Sequence, residues 1–113
     1  MKAHDLVSEK QLQATVVEMA LAHGWSVYGV LDQREYSKRL SKGWPDLVLV
    51  KHQCIIFAEL KSEKGKVSPE QRAWLNALRT VVRPMEWGYV KVWRPSDLPT
   101  IEAMLTTKAG WPE

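Results

Sequence analysis

Two short apolar runs in the middle of the chain, residues 47–50 and 55–58, are separated by the polar segment 51–53. Aliphatic and β-branched runs of this length, with turn residues between them, are typical of buried strands. The pattern therefore predicts a β-hairpin. Cys54 is expected to join its second strand.

Three helices are predicted at about residues 8–23, 69–82 and 98–107, and the first two show the spacing of an amphipathic helix. Each of the first two opens with a capping box, a serine followed three residues later by a glutamine. Gly24 should end the first helix, and Pro69 suits the first position of the second.

Strands near residues 25–31 and 89–93 complete the pattern, which gives the order αβββαβα. This order predicts an α/β fold with a mixed central sheet flanked by helices. A chain of 113 residues, 45% hydrophobic, has room for one core, so residues 1–113 are expected to form a single domain. With one cysteine and no apolar leader or membrane segment, the protein is expected to be cytoplasmic.

Charged side chains stand where the two hairpin strands should meet. Glu59 and Lys61 share one face of a strand, and antiparallel pairing brings Asp46 alongside Glu59. Two neighbouring carboxylates repel each other, and a divalent cation would relieve that repulsion. Oxygen ligands without a Cys/His cluster favour Mg²⁺ or Mn²⁺. The residues therefore predict metal-dependent phosphodiester hydrolysis, with Lys61 orienting water or neutralising developing charge.

Pro45-Asp46 and Glu59-Leu60-Lys61 resemble the motif of the PD-(D/E)XK nuclease superfamily. Residues 43–47, Gly-Trp-Pro-Asp-Leu, resemble the Gly-x-Pro-Asp-Leu signature of its VRR-NUC group, the virus-type replication-repair nucleases. Residues 65–71 resemble the same group's Gly-x-x-(Ser/Thr)-x-x-Gln segment. The resemblance implies a restriction-endonuclease-like αβββαβα core. It also implies the catalytic residues Asp46, Glu59, Lys61, Gln71 and Glu9, and the metal ligands Asp46, Glu59, Leu60 and Glu9.

Glu9 and Gln71 each have a second interpretation as residues that only stabilise their helices. Glu9 could simply face the positive end of a helix dipole, although it shares a stripe with the apolar face while Glu18 lies opposite. Gln71 could be only the last residue of a capping box. Its stripe faces the core, so its amide could also bind a site carboxylate or a water.

Basic residues flank the predicted site in a chain of net charge +3. We expect them to contact DNA phosphates in a sequence-independent, salt-sensitive way, the alternative being an ordinary solvated surface. The residues concerned are Arg34, Lys38, Arg39, Lys42, Lys64 and Lys66.

Six tryptophans also invite a role in stacking on bases. Trp25, Trp74 and Trp93 are expected in the core. Trp44 and Trp87 are candidates for contact with a base, a ribose or a partner subunit.

The resemblance implies a structure-selective DNA endonuclease that acts on branched DNA, resembling a Holliday-junction resolvase and working as a homodimer. A flap, nick or single-strand nuclease is one alternative. A noncatalytic DNA-binding subunit that keeps the nuclease fold is another.

Overall fold

The computed structural model describes residues 2–29 and 42–106 and confirms the predicted order of elements. Two short 3-10 helices, which the sequence pattern did not predict, precede the first and last α-helices. Positions 30 and 31 of the predicted first strand and position 107 of the predicted last helix lie outside the described residues. The elements are α1 (Glu9–Ala22), β1 (Ser26–Gly29), β2 (Leu47–Lys51), β3 (Cys54–Leu60), α2 (Pro69–Val82), β4 (Gly88–Trp93) and α3 (Leu98–Thr106), with 3-10 helices at Ala3–Leu6 and Pro95–Asp97.

The four strands form one mixed sheet in the order β1-β2-β3-β4. β1 pairs antiparallel with β2, β2 antiparallel with β3, and β3 parallel with β4 through the α2 crossover. The predicted hairpin is present, and its turn is tighter than expected because Lys51 pairs with Cys54. His52 occupies the left-handed region, with φ of 56°.

The core lies on one face of the sheet. Leu47 and Leu49 of β2 and Ile56 and Ala58 of β3 are fully buried there, because alternate strand residues point to the same side. α1 packs against β1, β3 and α3 on this face. The side chain of Trp25 is also buried, and its Nε1–H donates to the carbonyl of Leu105 at 3.0 Å, so α3 is tied to the end of α1.

The opposite face is covered in part by α2, which packs against β4. An aromatic cluster fills the space between this helix and β3. The Trp44 ring lies edge-on to Phe57, with centroids 5.9 Å apart, and edge-on to Trp74 at 4.9 Å. Helices therefore flank both faces, as the sequence pattern predicted.

Both capping boxes form as predicted. Ser8 and Gln11 exchange hydrogen bonds at the start of α1, and Ser68 and Gln71 do so at the start of α2. Gly24 follows α1 with φ of 84°. In the described part of the chain, no helix has the length and apolar character needed to cross a membrane.

Candidate active site

Asp46 and Glu59 lie side by side at one end of the sheet. Leu47 pairs with Ala58, so the residue before β2 comes next to the residue near the end of β3. The backbone N–H of Leu60 donates to Oδ2 of Asp46 at 2.8 Å and fixes that carboxylate against β3. The geometry predicted from the hairpin is therefore present.

Glu59 is buried, with 1% of its surface exposed. Its Oε2 accepts a hydrogen bond from Nε2 of Gln71 at 3.0 Å. Its Oε1 is also buried and has no hydrogen-bond partner among the described residues. One oxygen of this carboxyl group is thus held by an amide donor, while the other receives no such donor.

The surroundings of Glu59 disfavour its ionised form. Burial raises the pKa of Glu59 from 4.5 to about 9, helped by the charge of Asp46 and by hydrogen bonding with it. Lys61 opposes this rise, and the charge of Glu9 adds to it. Without a cation, the site therefore keeps Glu59 protonated at neutral pH.

Lys61 follows β3 directly, and its backbone N–H donates to the carbonyl of Trp93 at 3.0 Å. The residue is buried, with 8% of its surface exposed. The ion pairs within 4.0 Å in residues 2–29 and 42–106 are Lys42–Glu70 and Lys64–Asp5. Lys61 therefore brings a buried positive charge to the site that no carboxylate there engages at that range.

Gln71 performs both of the functions that the sequence left open. Its backbone N–H donates to Oγ of Ser68 at 3.1 Å, and its Oε1 accepts from the backbone N–H of Ser68 at 2.8 Å. The remaining end of the same amide donates to Glu59. The capping box thus sets the orientation of the amide that holds the site carboxyl.

Gly43 explains how the two motif segments meet. It has φ of 91°, and a Cβ atom there would lie 2.5 Å from the backbone carbon and oxygen of Glu70 and 2.7 Å from the nitrogen of Gln71. Only glycine permits so close an approach of the two chains. The segment that carries Asp46 is therefore seated on the first turn of α2.

Glu9 is the first residue of α1 and is exposed, while Leu12, Val16 and Ala20 on its stripe are buried as predicted. Its charge acts on Glu59. Within the described residues, no group of three or more His, Cys, Asp or Glu side chains could hold a metal ion, so Glu9 does not complete a three-carboxylate cluster. Its role as a metal ligand stays a prediction.

Leu60 has a different position from the other predicted ligands. Its side chain is buried in the core, and its N–H is the group that holds Asp46. Only its backbone carbonyl could face a cation, so its role as a ligand also stays a prediction.

The loop after β3 carries two of the predicted DNA-binding lysines and is held by a residue that the sequence did not indicate. Nη1 of Arg94 donates to the carbonyls of Ser62, Glu63 and Gly65, at 2.8, 3.2 and 2.7 Å. No local pattern marks such a contact, because it joins positions about 30 residues apart. Arg94 thereby fixes the loop that presents Lys64 and Lys66.

The other predicted DNA-binding residues divide into two groups. Lys42 is exposed and pairs with Glu70 at 3.2 Å, next to Gly43. The remaining three, Arg34, Lys38 and Arg39, lie outside the described residues.

The order and directions of the strands, together with helices on both faces, define the class of this protein: it has the core of a PD-(D/E)XK-like nuclease. The family model of the VRR-NUC domain matches residues 4–92. The chain therefore belongs to the VRR-NUC family, whose domain is a nuclease fold broadly associated with DNA cleavage. No curated protein and no solved structure matches the chain.

Proposed function

We propose that the protein is a Mg²⁺- or Mn²⁺-dependent endodeoxyribonuclease that hydrolyses phosphodiester bonds in branched DNA. The observation that carries this proposal is the pair of neighbouring carboxyl groups, Asp46 and Glu59, held by the Leu60 N–H and the Gln71 amide. A site that served only to stabilise the fold would gain nothing from placing the half-buried acid Asp46 beside the buried acid Glu59.

The donor chemistry of this pair fits a hard divalent cation. Glu59 Oε1 is buried and lacks a donor, and the like charge of Asp46 contributes to its raised pKa. Mg²⁺ commonly uses one or two protein carboxylates and keeps several waters and phosphate oxygens, so Asp46 and Glu59 would suffice to hold it. When bound, such an ion polarises a phosphoryl oxygen and acidifies water.

The remaining residues act on the substrate and on the carboxylates. Lys61 would neutralise charge that develops on the phosphoryl group or orient the attacking water. Gln71 would hold Oε2 of Glu59 and so direct Oε1 toward the cation. Glu9 would add negative charge at the edge of the site.

Recognition of branched DNA would depend on backbone contacts and shape, since a domain of 113 residues has little surface beyond its core. Lys64 and Lys66 stand on the loop that follows the site strand. A homodimer would place two sites about a two-fold axis and cut a four-way junction symmetrically.

The decisive experiment compares the wild type with Asp46→Asn on labelled four-way junction, flap, nicked, linear duplex and single-stranded DNA. Each substrate is incubated with Mg²⁺, Mn²⁺ or EDTA. Asparagine can still accept the Leu60 N–H, so the fold should survive while cleavage is lost. Glu102→Gln, a carboxylate-to-amide change at an exposed position of α3, is the matched control and should cleave like the wild type.

Paired symmetric cuts in the junction, abolished by EDTA and by Asp46→Asn, are the expected result. Light scattering should then give the mass of two chains. Cleavage confined to flaps, nicks or single strands would keep the nuclease and replace the junction as its substrate. Equal DNA binding by folded wild type and Asp46→Asn, with no cleavage of any substrate, would indicate the noncatalytic DNA-binding subunit instead.

A further inference from the structure

An open pocket of about 380 Å³ lies on the first half of α2, beside the segment that leads to Asp46. Its lining is largely apolar, with two charged groups. Pockets of this kind hold small organic groups and use a few polar side chains to orient them. The residues that line it are Lys42, Glu70, Ala73, Trp74 and Ala77.

The helix side of the pocket is one stripe of α2. Glu70 is followed at three, four and seven positions by Ala73, Trp74 and Ala77, so the four side chains share a face of the helix. The two alanines leave space, and the indole ring forms a wall. The sequence pattern assigned Trp74 to the core, but its side chain is only half-buried. Part of an aromatic ring is therefore accessible from the pocket.

The pocket is attached to both segments that build the candidate active site. Trp44, two residues before Asp46, lies edge-on to Trp74 with the ring centroids 4.9 Å apart, which fixes the orientation of the second ring. Trp74 is one helical turn after Gln71, whose amide binds Glu59. A group held in the pocket would therefore lie beside the pair of carboxyl groups.

The charges at the rim form an exposed ion pair. Nζ of Lys42 is 3.2 Å from Oε1 of Glu70, and 73% and 41% of these two side chains are exposed. Such a pair contributes little to stability, so Lys42 can exchange this partner for a phosphate at small cost. The apolar lining suits an uncharged flat ring. Rim and lining together match a nucleotide, which joins a flat base to an anionic phosphate.

We propose that this pocket binds an unpaired nucleobase of the DNA, which stacks on Trp74 while Lys42 contacts the adjoining phosphate. This inference rests on the proposed function and deepens it, because it identifies a feature by which the protein distinguishes branched DNA from a duplex. Taking a base out of a paired stack costs energy, and an unpaired base at a branch point avoids most of that cost. Every base has a flat face, so the contact selects DNA structure and not sequence.

Ala77→Leu closes the pocket without removing a large side chain from the fold. Ala77 is exposed on α2, and leucine is a good helix former. Long side chains in a helix lean toward the preceding turn, so the added leucine side chain would cover Ala73 and the accessible part of Trp74. Ala103→Leu is the matched control, because Ala103 is exposed on α3, at the other face of the sheet.

The test measures DNA affinity by fluorescence anisotropy in EDTA, so that catalysis does not contribute. The two probes are a four-way junction with one unpaired base at its branch point and a linear duplex that is paired throughout. We expect Ala77→Leu to bind this junction about tenfold more weakly, as for the loss of one base–aromatic stack, and to bind the duplex like the wild type. Ala103→Leu should match the wild type on both probes.

A fluorescent base analogue reports the contact directly. With 2-aminopurine as the unpaired base, wild type and Ala103→Leu should quench its fluorescence on binding, because the analogue stacks on an aromatic ring. Ala77→Leu, at a concentration that saturates the DNA, should leave most of the fluorescence. Quenching equal to that of the wild type would show that the base stacks elsewhere and would overturn the inference.

Two substitutions of the ring itself separate stacking from bulk. Trp74→Phe and Trp74→Leu both shorten a side chain that contacts Trp44, so both should lower the Tm to a similar extent. Phenylalanine keeps a flat aromatic face, and Trp74→Phe should therefore retain most of the affinity for the junction, whereas Trp74→Leu should lose it. Equal affinities in these two variants would contradict a stacking role.

The remaining outcomes separate this inference from the proposed function. Unchanged junction affinity in Ala77→Leu, with cleavage by the wild type intact, would overturn the inference alone, and so would equal losses on junction and duplex. A lower mass of Ala77→Leu in light scattering, with its DNA affinity unchanged, would place a second copy of the chain in the pocket instead of a base. If the wild type neither binds nor cleaves DNA, the proposed function has failed, and this inference fails with it.

Discussion

Glu59 is an acid that the fold holds in its neutral form. Burial, followed by the charge of Asp46, raises its pKa to about 9. An acid whose folded pKa lies above its unfolded value of 4.5 contributes stability that is present below 4.5 and is lost as the pH rises through about 9. Metal-free protein should therefore become less stable toward alkaline pH.

This dependence can be measured by chemical denaturation in EDTA between about pH 5 and about pH 9. The free energy of unfolding should fall across this range in the wild type. In Glu59→Gln, which has no proton to lose at that position, the fall should be much smaller. A parallel fall in both proteins would show that another group is responsible.

The two capping boxes of the molecule allow the two roles of Gln71 to be separated. Gln71→Glu keeps a residue that serves the box equally well, but it removes the amide that donates to Glu59. We expect cleavage to fall about 10- to 100-fold, the usual cost of losing a partner that orients a metal ligand. Steady-state cleavage rates measure this fall, and circular dichroism shows whether the helix content is unchanged.

Gln11→Glu makes the same change in the capping box of α1, where the hydrogen bonds lie in exposed surroundings. Helicity should be preserved in both variants, and activity should be preserved only in this one. Equal losses of activity would mean that Gln71 acts through its helix alone.

The junction between the segment before β2 and the start of α2 depends on Gly43. Gly43→Ala must strain a φ of 91° and displace the backbone of Glu70. Gly24→Ala has a similar φ of 84°, but the nearest atom to its Cβ, Cε of Lys51, is 3.7 Å away. Both substitutions should lower the free energy of unfolding by about 1–2 kcal/mol, because alanine disfavours the left-handed conformation.

Gly43→Ala should lower the free energy of unfolding by about 1–3 kcal/mol more than Gly24→Ala, because the backbone contact between residue 43 and Glu70 has to open. Urea denaturation of the two variants measures the difference. Cleavage should fall only in Gly43→Ala, since Asp46 and Gln71 are attached to the two segments that separate. Equal destabilisation would show that the backbone contact relaxes without strain.

The same elements show what a sequence can reveal and what it cannot. The capping boxes and helical periodicity are local signals, so α1 and α2 were predicted almost to the residue. Pairing in a hairpin follows from its turn, so the meeting of Asp46 and Glu59 was predictable as well. These features depend on residues close together in the chain or linked by one turn.

The supports of the site arise only on folding. The approach of Gly43 to Glu70 and the contact of Arg94 with the loop at Ser62 join segments that are 27 and 32 positions apart. Patterns within a short stretch of sequence do not indicate contacts between segments so far apart.

The chain has a net charge of +3, and its binding to DNA should depend on where the positive charges lie. Lys66 is exposed on the loop fixed by Arg94. Lys66→Ala should reduce the slope of log K against log salt concentration by about one, as expected for one phosphate contact. Binding titrations over a series of salt concentrations give this slope.

Lys91→Ala is the control for overall charge. Lys91 is exposed on β4, where its ammonium lies 5.9 Å from the centre of the Tyr89 ring. Its loss should leave the slope unchanged. Equal changes in both variants would mean that net charge, and not the position of the loop, governs association.

The strand that carries Glu59 has hydrogen-bonded neighbours on both sides, β2 and β4. Local opening begins at termini, loops and edge strands, whereas an interior strand is released only with the rest of the fold. Heat should therefore inactivate the protein in one step, with the loss of cleavage and the loss of circular dichroism sharing a midpoint. A sample warmed to just below that midpoint and cooled again should recover its full activity.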